Sequence, residues 1–195
     1  MERRTFLAGG VAAGALGATT VAGTIVGATG AATPAGAVPG VHRVRTGLDE
    51  LVDADFAVLA GQRVGVLSNP TGVDSAYRHL VDLMHASDAV DLAAAFGPEH
   101  GFRGSAQAGG SEGTGIDART GITVYDAYGA TQTKWAELIT RSGVDTVVFD
   151  IQDVGARFYT YLWTMDDSMV AAARLGKRYV VLDRPNPVGG RAYGP

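Results

Sequence analysis

From Thr46 onward, apolar residues recur in two alternating patterns. Leu48, Leu51, Val52, Phe56 and Leu59 return at helical spacing and predict a helix over Thr46–Ala60. Thr46 is placed to cap it, and Asp49 and Glu50 sit in the first turn, where negative charge complements the helix dipole. The same spacing predicts helices over Ser75–Ala86, with Leu80, Leu83 and Met84 inward, and over Thr133–Ser142, ended by Gly143. A longer one is predicted over Phe158–Leu175, with Phe158, Tyr161, Leu162, Met165, Met169 and Ala172 on its buried face. The second pattern is the short unbroken apolar run: Arg63–Leu67, Val90–Phe96, Val144–Phe149 and Arg178–Leu182. Unbroken runs, unlike alternating ones, mark strands of a parallel sheet covered on both faces. Strands separated by helices predict an α/β, Rossmann-like, doubly wound and mostly parallel sheet with helices on both faces. Residues 97–121 interrupt the rhythm with eight glycines, and loops of that length are usually functional or mobile. No helical pattern follows the fourth strand, so the domain is expected to be truncated at its C-terminus.

The first residues follow neither pattern. Arg3-Arg4 precedes a Gly/Ala-rich stretch, and no Asp, Glu, Lys or Arg occurs from Thr5 to Val41. Glycine dilutes its apolar surface too much for a good membrane span, whereas paired arginines and a mild apolar region fit a twin-arginine export signal. Ala35-Gly36-Ala37 supplies an A-x-A cleavage site. The expected organisation is an export signal over 1–37, a linker over 38–46 and one domain over 47–195, with an exported, extracellular or cell-wall-associated product. An uncleaved N-terminal anchor is the alternative.

Composition narrows the chemistry. With no cysteine, disulfide scaffolds, Cys-ligated zinc or iron–sulfur sites and a Cys nucleophile are excluded. A net charge of -4 provides no field to attract nucleic acid. The chain has no G-x-G-x-x-G after its first strand, no P-loop, no G-x-S-x-G elbow and no H-x-x-x-H pair.

In open α/β sheets, ligands bind beyond the carboxyl ends of the strands. Each predicted strand here ends in a polar cluster: Ser68-Asn69-Pro70-Thr71-Gly72; Gly97-Pro98-Glu99-His100-Gly101-Phe102-Arg103, then Gln107; Asp150-Ile151-Gln152-Asp153 through Arg157; and Asp183-Arg184-Pro185-Asn186. Some of these have plain structural readings. Asn69 suits a turn, Asp153 a helix cap, and Asp183-Arg184 an ion pair. Glu99-His100, between Gly-Pro and Gly after a buried strand, has no packing task and is the strongest functional candidate. His79 and His85 fall on a helical pattern and are expected at the surface.

The segments GQRVGVLSNPTGVD, AAFGPEHGFRG, VVFDIQDVGARFYTY and VVLDRPNPVGG, in this order, resemble the exo-acting β-N-acetylmuramidases of the NamZ type. The resemblance spans about 47–195. It implies a Rossmann-like catalytic domain followed by a smaller domain, acting on peptidoglycan fragments to release N-acetylmuramic acid from the non-reducing end. Glycoside cleavage needs a carboxylic acid at the leaving oxygen and a second carboxylate or equivalent. Glu99 is then the general acid/base, His100 a group that orients Glu99 or hydrogen-bonds the sugar, and Asp150, Asp153 or Asp183 the second group. Retention, inversion and assistance by the substrate's acetamido group all stay open. Arg103, Arg157 and Arg184 are candidates to grip the lactyl carboxylate. Asn69, Gln107 and Asn186 suit sugar hydroxyls or the acetamido group, and Tyr159 a pocket wall. No cofactor or metal is implied, and the partner is a muropeptide or peptidoglycan saccharide. The reading requires Glu99 and the three guanidinium groups to meet in one hollow. Its rivals are a non-catalytic sugar-binding module and a metal-dependent phosphohydrolase built on Asp150, Asp153 and Asp183.

Overall fold

A computed structural model describes residues 44–189; the expected export signal and most of the linker lie outside the described residues. Along the chain come α1 (Gly47–Asp53), a 3-10 turn (Ala57–Leu59), β1 (Arg63–Ser68), α2 (Leu80–His85), β2 (Asp91–Gly97), β3 (Gly115–Ile116), β4 (Thr123–Asp126), α3 (Gln132–Ser142), β5 (Thr146–Asp150), α4 (Tyr161–Arg174) and β6 (Arg178–Val181). The strands form one sheet in the order β3-β4-β2-β1-β5-β6. All neighbours are parallel except the β3/β4 edge.

Central strands feed two cores because successive side chains point to opposite faces. Val64, Val66, Ala95 and Val148 pack with Leu48 and Leu51 of α1 and Leu80, Val81 and Met84 of α2. Leu67, Ala94, Phe96, Val147 and Phe149 face the other way, onto Trp135, Leu138 and Ile139 of α3 and Ala171 and Ala172 of α4. This is the doubly wound α/β arrangement that the apolar runs predict. No helix among the described residues is long and apolar enough to cross a membrane.

The element ends differ from expectation where side chains compete with helical hydrogen bonds. Thr46 closes a capping box with Asp49, as expected. The helix then stops at Asp53, and Asp55 and Phe56 turn left-handed (φ 47° and 56°), which still delivers Phe56 and Leu59 to the core. α2 begins at Leu80, five residues later than predicted, because Asp74 captures the preceding backbone. Its Oδ1 accepts from the N–H groups of Ala76 (2.9 Å) and Arg78 (2.8 Å), and its Oδ2 from the Arg78 guanidinium. His79, expected at the surface, is buried. On α4, Phe158 and Leu162 were expected inward but are 83% and 58% exposed. β3 and β4 went unpredicted: they are two and four residues long and border the glycine-rich stretch.

Candidate active site

The chain winds from β1 toward β2 and β4 on one side and returns to place β5 and β6 on the other. The loops after β1 and β5 therefore diverge at the sheet's centre, the crevice where α/β folds place ligands. Side chains fix this crevice tightly. Ser68 Oγ donates to the Asp150 carbonyl (2.7 Å), and Thr71 Oγ1 donates to Asn69 Oδ1 (2.6 Å) while accepting from Gln152 N–H (2.9 Å). The turn admits only glycine at 72, where a Cβ would lie 2.0 Å from Ser68 Oγ and 2.9 Å from the Asp150 carbonyl.

Arg184, after β6, reaches across to Asp150. Its Nε and Nη2 meet the two carboxylate oxygens at 2.6 and 2.9 Å, and Nη2 also donates to the Val73 carbonyl at 3.0 Å. The pair is sealed, with the side chains 8% and 0% exposed. Burial pushes the Asp150 carboxyl above its ordinary value of 3.8, and Arg184 opposes that push. Both residues were expected to face substrate; their polar groups are instead spent on one another, stapling the loops after β1, β5 and β6.

Glu99 follows β2 on a turn in which His100 is left-handed (φ 69°), a conformation unusual for a side-chain-bearing residue and often found at functional sites. Its Oε2 accepts from Thr160 Oγ1 (2.9 Å), its Oε1 from Gly109 N–H (3.3 Å), and its carbonyl from the Tyr161 hydroxyl (3.5 Å). Burial raises the Tyr161 hydroxyl above its ordinary value of 10.0, which keeps it a donor. Glu99, His100, Phe158, Tyr159, Thr160 and Tyr161 line a pocket of about 260 Å³. Across Tyr159 lies a second hollow of about 330 Å³, bounded by Asp153, Arg157, Leu162 and Trp163. Tyr159 stands edge-on to both Phe158 (5.5 Å) and Tyr161 (5.8 Å), so three aromatic rings wall the glutamate.

The three arginines do not meet. Arg103 turns toward α2, where Nε and Nη2 hold Asp117 at 3.0 and 2.8 Å and Nη2 holds Asp82 at 2.8 Å. It lines a separate hollow with Glu112, Ile116 and Val124. Asp117 is held down at about 2, chiefly by its bonds to Arg103. Arg184 is sealed as described. Only Arg157 is exposed, makes no ion pair among the described residues and borders the Glu99 pocket's neighbour. The expectation of one shared hollow thus fails for Arg103 and Arg184, because carboxylates distant in sequence had already claimed them.

The remaining candidates are spread along the rim. Asp153 Oδ1 accepts from Gly155 N–H (2.7 Å) while its residue lines the Arg157 hollow. Asp183 Oδ1 accepts from Arg184 N–H (3.0 Å) and Asn186 Oδ1 from Val188 N–H (3.1 Å), both in exposed turns beside a further hollow of about 310 Å³. Gln107 is exposed on the glycine-rich loop, and Asn69 is buried, its Oδ1 taken by Thr71. Among the described residues no group of three or more His, Cys, Asp or Glu is placed to hold a metal ion, so Asp150, Asp153 and Asp183 do not make the cluster a metallophosphohydrolase needs.

Sequence reasoning overlooked Thr160, which grips Glu99, and Glu112. The Glu112 carboxylate accepts from Phe102 N–H and from Ser105 Oγ (2.7 Å), bracing the Glu99 turn. A Cβ on Gly101 (φ 81°) would strike that carboxylate at 2.5 Å and one on Gly97 at 2.6 Å, so these two glycines are the trace of Glu112 in the motif.

Residues 64–195 match the family model described as exo-beta-N-acetylmuramidase NamZ, N-terminal. A relative from Bacillus subtilis (strain 168), the peptidoglycan beta-N-acetylmuramidase NamZ, is 47% identical over 148 residues, covering 76% of this chain and 35% of its own length. The chain thus spans about a third of that curated relative. Two crystal structures of DUF1343 family proteins from Bacteroides fragilis NCTC 9343 are similar. One has a TM-score of 0.67 at 42% identity over 75% of this chain and 36% of that one. The other has a TM-score of 0.57 at 33% identity over 74% and 36%. With the family match covering most of the chain and solved structures of related sequence sharing its fold, this chain belongs to the family of the exo-β-N-acetylmuramidase NamZ N-terminal domain.

Proposed function

We propose that the protein of this chain hydrolyses the terminal β-N-acetylmuramide at the non-reducing end of peptidoglycan fragments, with Glu99 as the general acid/base. The observation that carries this reading is the Glu99 carboxylate, gripped by Thr160 at 2.9 Å in a pocket walled by Phe158, Tyr159 and Tyr161. Sugar rings present apolar faces and polar edges, and a pocket of aromatic walls with few converging polar groups suits both. Protonated Glu99 donates its proton to the leaving oxygen as the glycosidic bond breaks and then, as carboxylate, takes one from the attacking water. Asp153, in the adjoining hollow, is the candidate second carboxylate. Arg157 borders that hollow without an ion-pair partner among the described residues, which suits it to the lactyl carboxylate. With the export signal read over 1–37, the reaction takes place outside the cytoplasm, on or near the wall.

The test is a paired assay of the full-length protein on chromogenic β-N-acetylmuramide and β-N-acetylglucosaminide. Turnover is expected on the muramide. Arg157→Ala is expected to weaken the muramide by about tenfold to a hundredfold, the worth of a charge-assisted hydrogen bond, with little change on the glucosaminide. No turnover of either sugar, or equal turnover of both, would overturn the reading.

A further inference from the structure

We propose that His79 is a positioning residue for Glu99, holding the Asn69 loop and the Glu99 turn in register through a neutral imidazole ring. The proposal deepens the hydrolase reading and rests on Glu99 as its acid/base.

His79 is 9% exposed, and both of its ring nitrogens are engaged. Nε2 donates to the Asn69 carbonyl (3.1 Å), while Nδ1 accepts from Val81 N–H (3.3 Å) at the start of α2. One nitrogen donating and the other accepting defines the neutral Nε2–H tautomer. The ring also stands edge-on to Phe102, with centroids 5.3 Å apart and planes at 83°.

Both arms of this contact end on the Glu99 turn. On one arm Asn69 leads into Pro70, whose ring packs so closely on Gly104 of that turn that a Cβ there would lie 2.7 Å from Pro70 Cγ. On the other, Phe102 lies three residues past Glu99 on the same turn. Choice of residue supports the assignment. The helices α1 and α3 are capped by Thr46 and Thr131, of the short polar class that helix starts favour. A short side chain caps α2 equally well but does not extend to Asn69; an imidazole spans both partners.

The charged groups around the ring are Arg103, which opposes protonation, and Asp82 and Asp117, which favour it. Burial outweighs them and holds the ring below its ordinary value of 6.5. Protonation would remove the acceptor from Val81 and add a cation beside Arg103.

The experiment uses the full-length protein with His79→Asn, which keeps a cap acceptor and loses the reach to Asn69, and His79→Gln, whose longer amide restores an N–H toward it. On the chromogenic muramide, His79→Asn is expected to lower kcat about tenfold with KM within about twofold, while His79→Gln recovers part of that loss. Nitrogen-15 NMR of the wild-type ring is expected to show the neutral Nε2–H tautomer down to a pH below 6.5. A folded His79→Asn protein with wild-type kcat, an Nδ1–H tautomer, or a ring that titrates above 6.5 would each overturn the proposal. Should the wild type turn over no muramide, the hydrolase reading fails, and the ring tautomer alone then decides whether the tether exists.

Discussion

Arg184→Met tests how the crevice is held. The guanidinium is 8% exposed and its partner Asp150 0%, so solvent screens the pair hardly at all. Removing the arginine leaves a carboxylate buried without a counter-charge and strips the Val73 carbonyl of its donor. Breaking a buried pair from one side costs about 3–5 kcal/mol, a large share of the ~5–15 kcal/mol that domains possess. A shift of that size is readable as a lower urea midpoint, with buried Trp135 as an intrinsic reporter. Two controls sharpen the reading. The double variant Arg184→Met/Asp150→Asn removes both charges and is expected to recover more than half the loss, because the penalty belongs to the orphaned charge. The single variant is also expected to lose less at acidic pH. Burial already raises Asp150 above 3.8, and without Arg184 it rises further. The folded state then binds that proton more readily than the unfolded state, so its penalty shrinks as pH falls toward the raised value. A single variant within about 1 kcal/mol of wild type would refute the reasoning.

Other outcomes follow from the same geometry. Gly72→Ala places a Cβ 2.0 Å from Ser68 Oγ and is expected to cost about 1–3 kcal/mol in chemical denaturation; wild-type stability would show that the crevice is looser than described. Asp117 is held at about 2 against an ordinary 3.8, so its contribution is complete above 3.8 and lost as pH falls through about 2. Asp117→Asn is expected to lower stability at neutral pH by on the order of 2 kcal/mol and to flatten that acid limb, checked by thermal unfolding across pH.

The sheet was legible because Val64–Leu67, Ala94–Phe96 and Val147–Phe149 are apolar on both faces, a burden only a doubly covered strand carries. The start of α2 was not, since the Asp74 turn that delays it depends on one carboxylate meeting two backbone N–H groups. Glu99 stood out as a charge on a glycine-flanked turn with nothing to pack. The arginines misled for a specific reason. Sequence places each at a strand end but does not tell that Asp82 on a helix and Asp117 late in the glycine-rich stretch would fold back to claim Arg103. Phe158 lies before α4 begins, and the buried stripe of that helix runs through Tyr161, Met165, Ser168 and Ala172, which leaves Leu162 to one side of it.

The central claim is that Glu99 performs the proton transfer, and Glu99→Gln in the full-length protein measures it most directly. The amide keeps the shape and an acceptor for Thr160 but has no acidic proton to give, so kcat on a muramide with a poor leaving group is expected to fall at least about a hundredfold while the fold stays intact. Wild-type turnover by a folded Glu99→Gln protein would contradict the account.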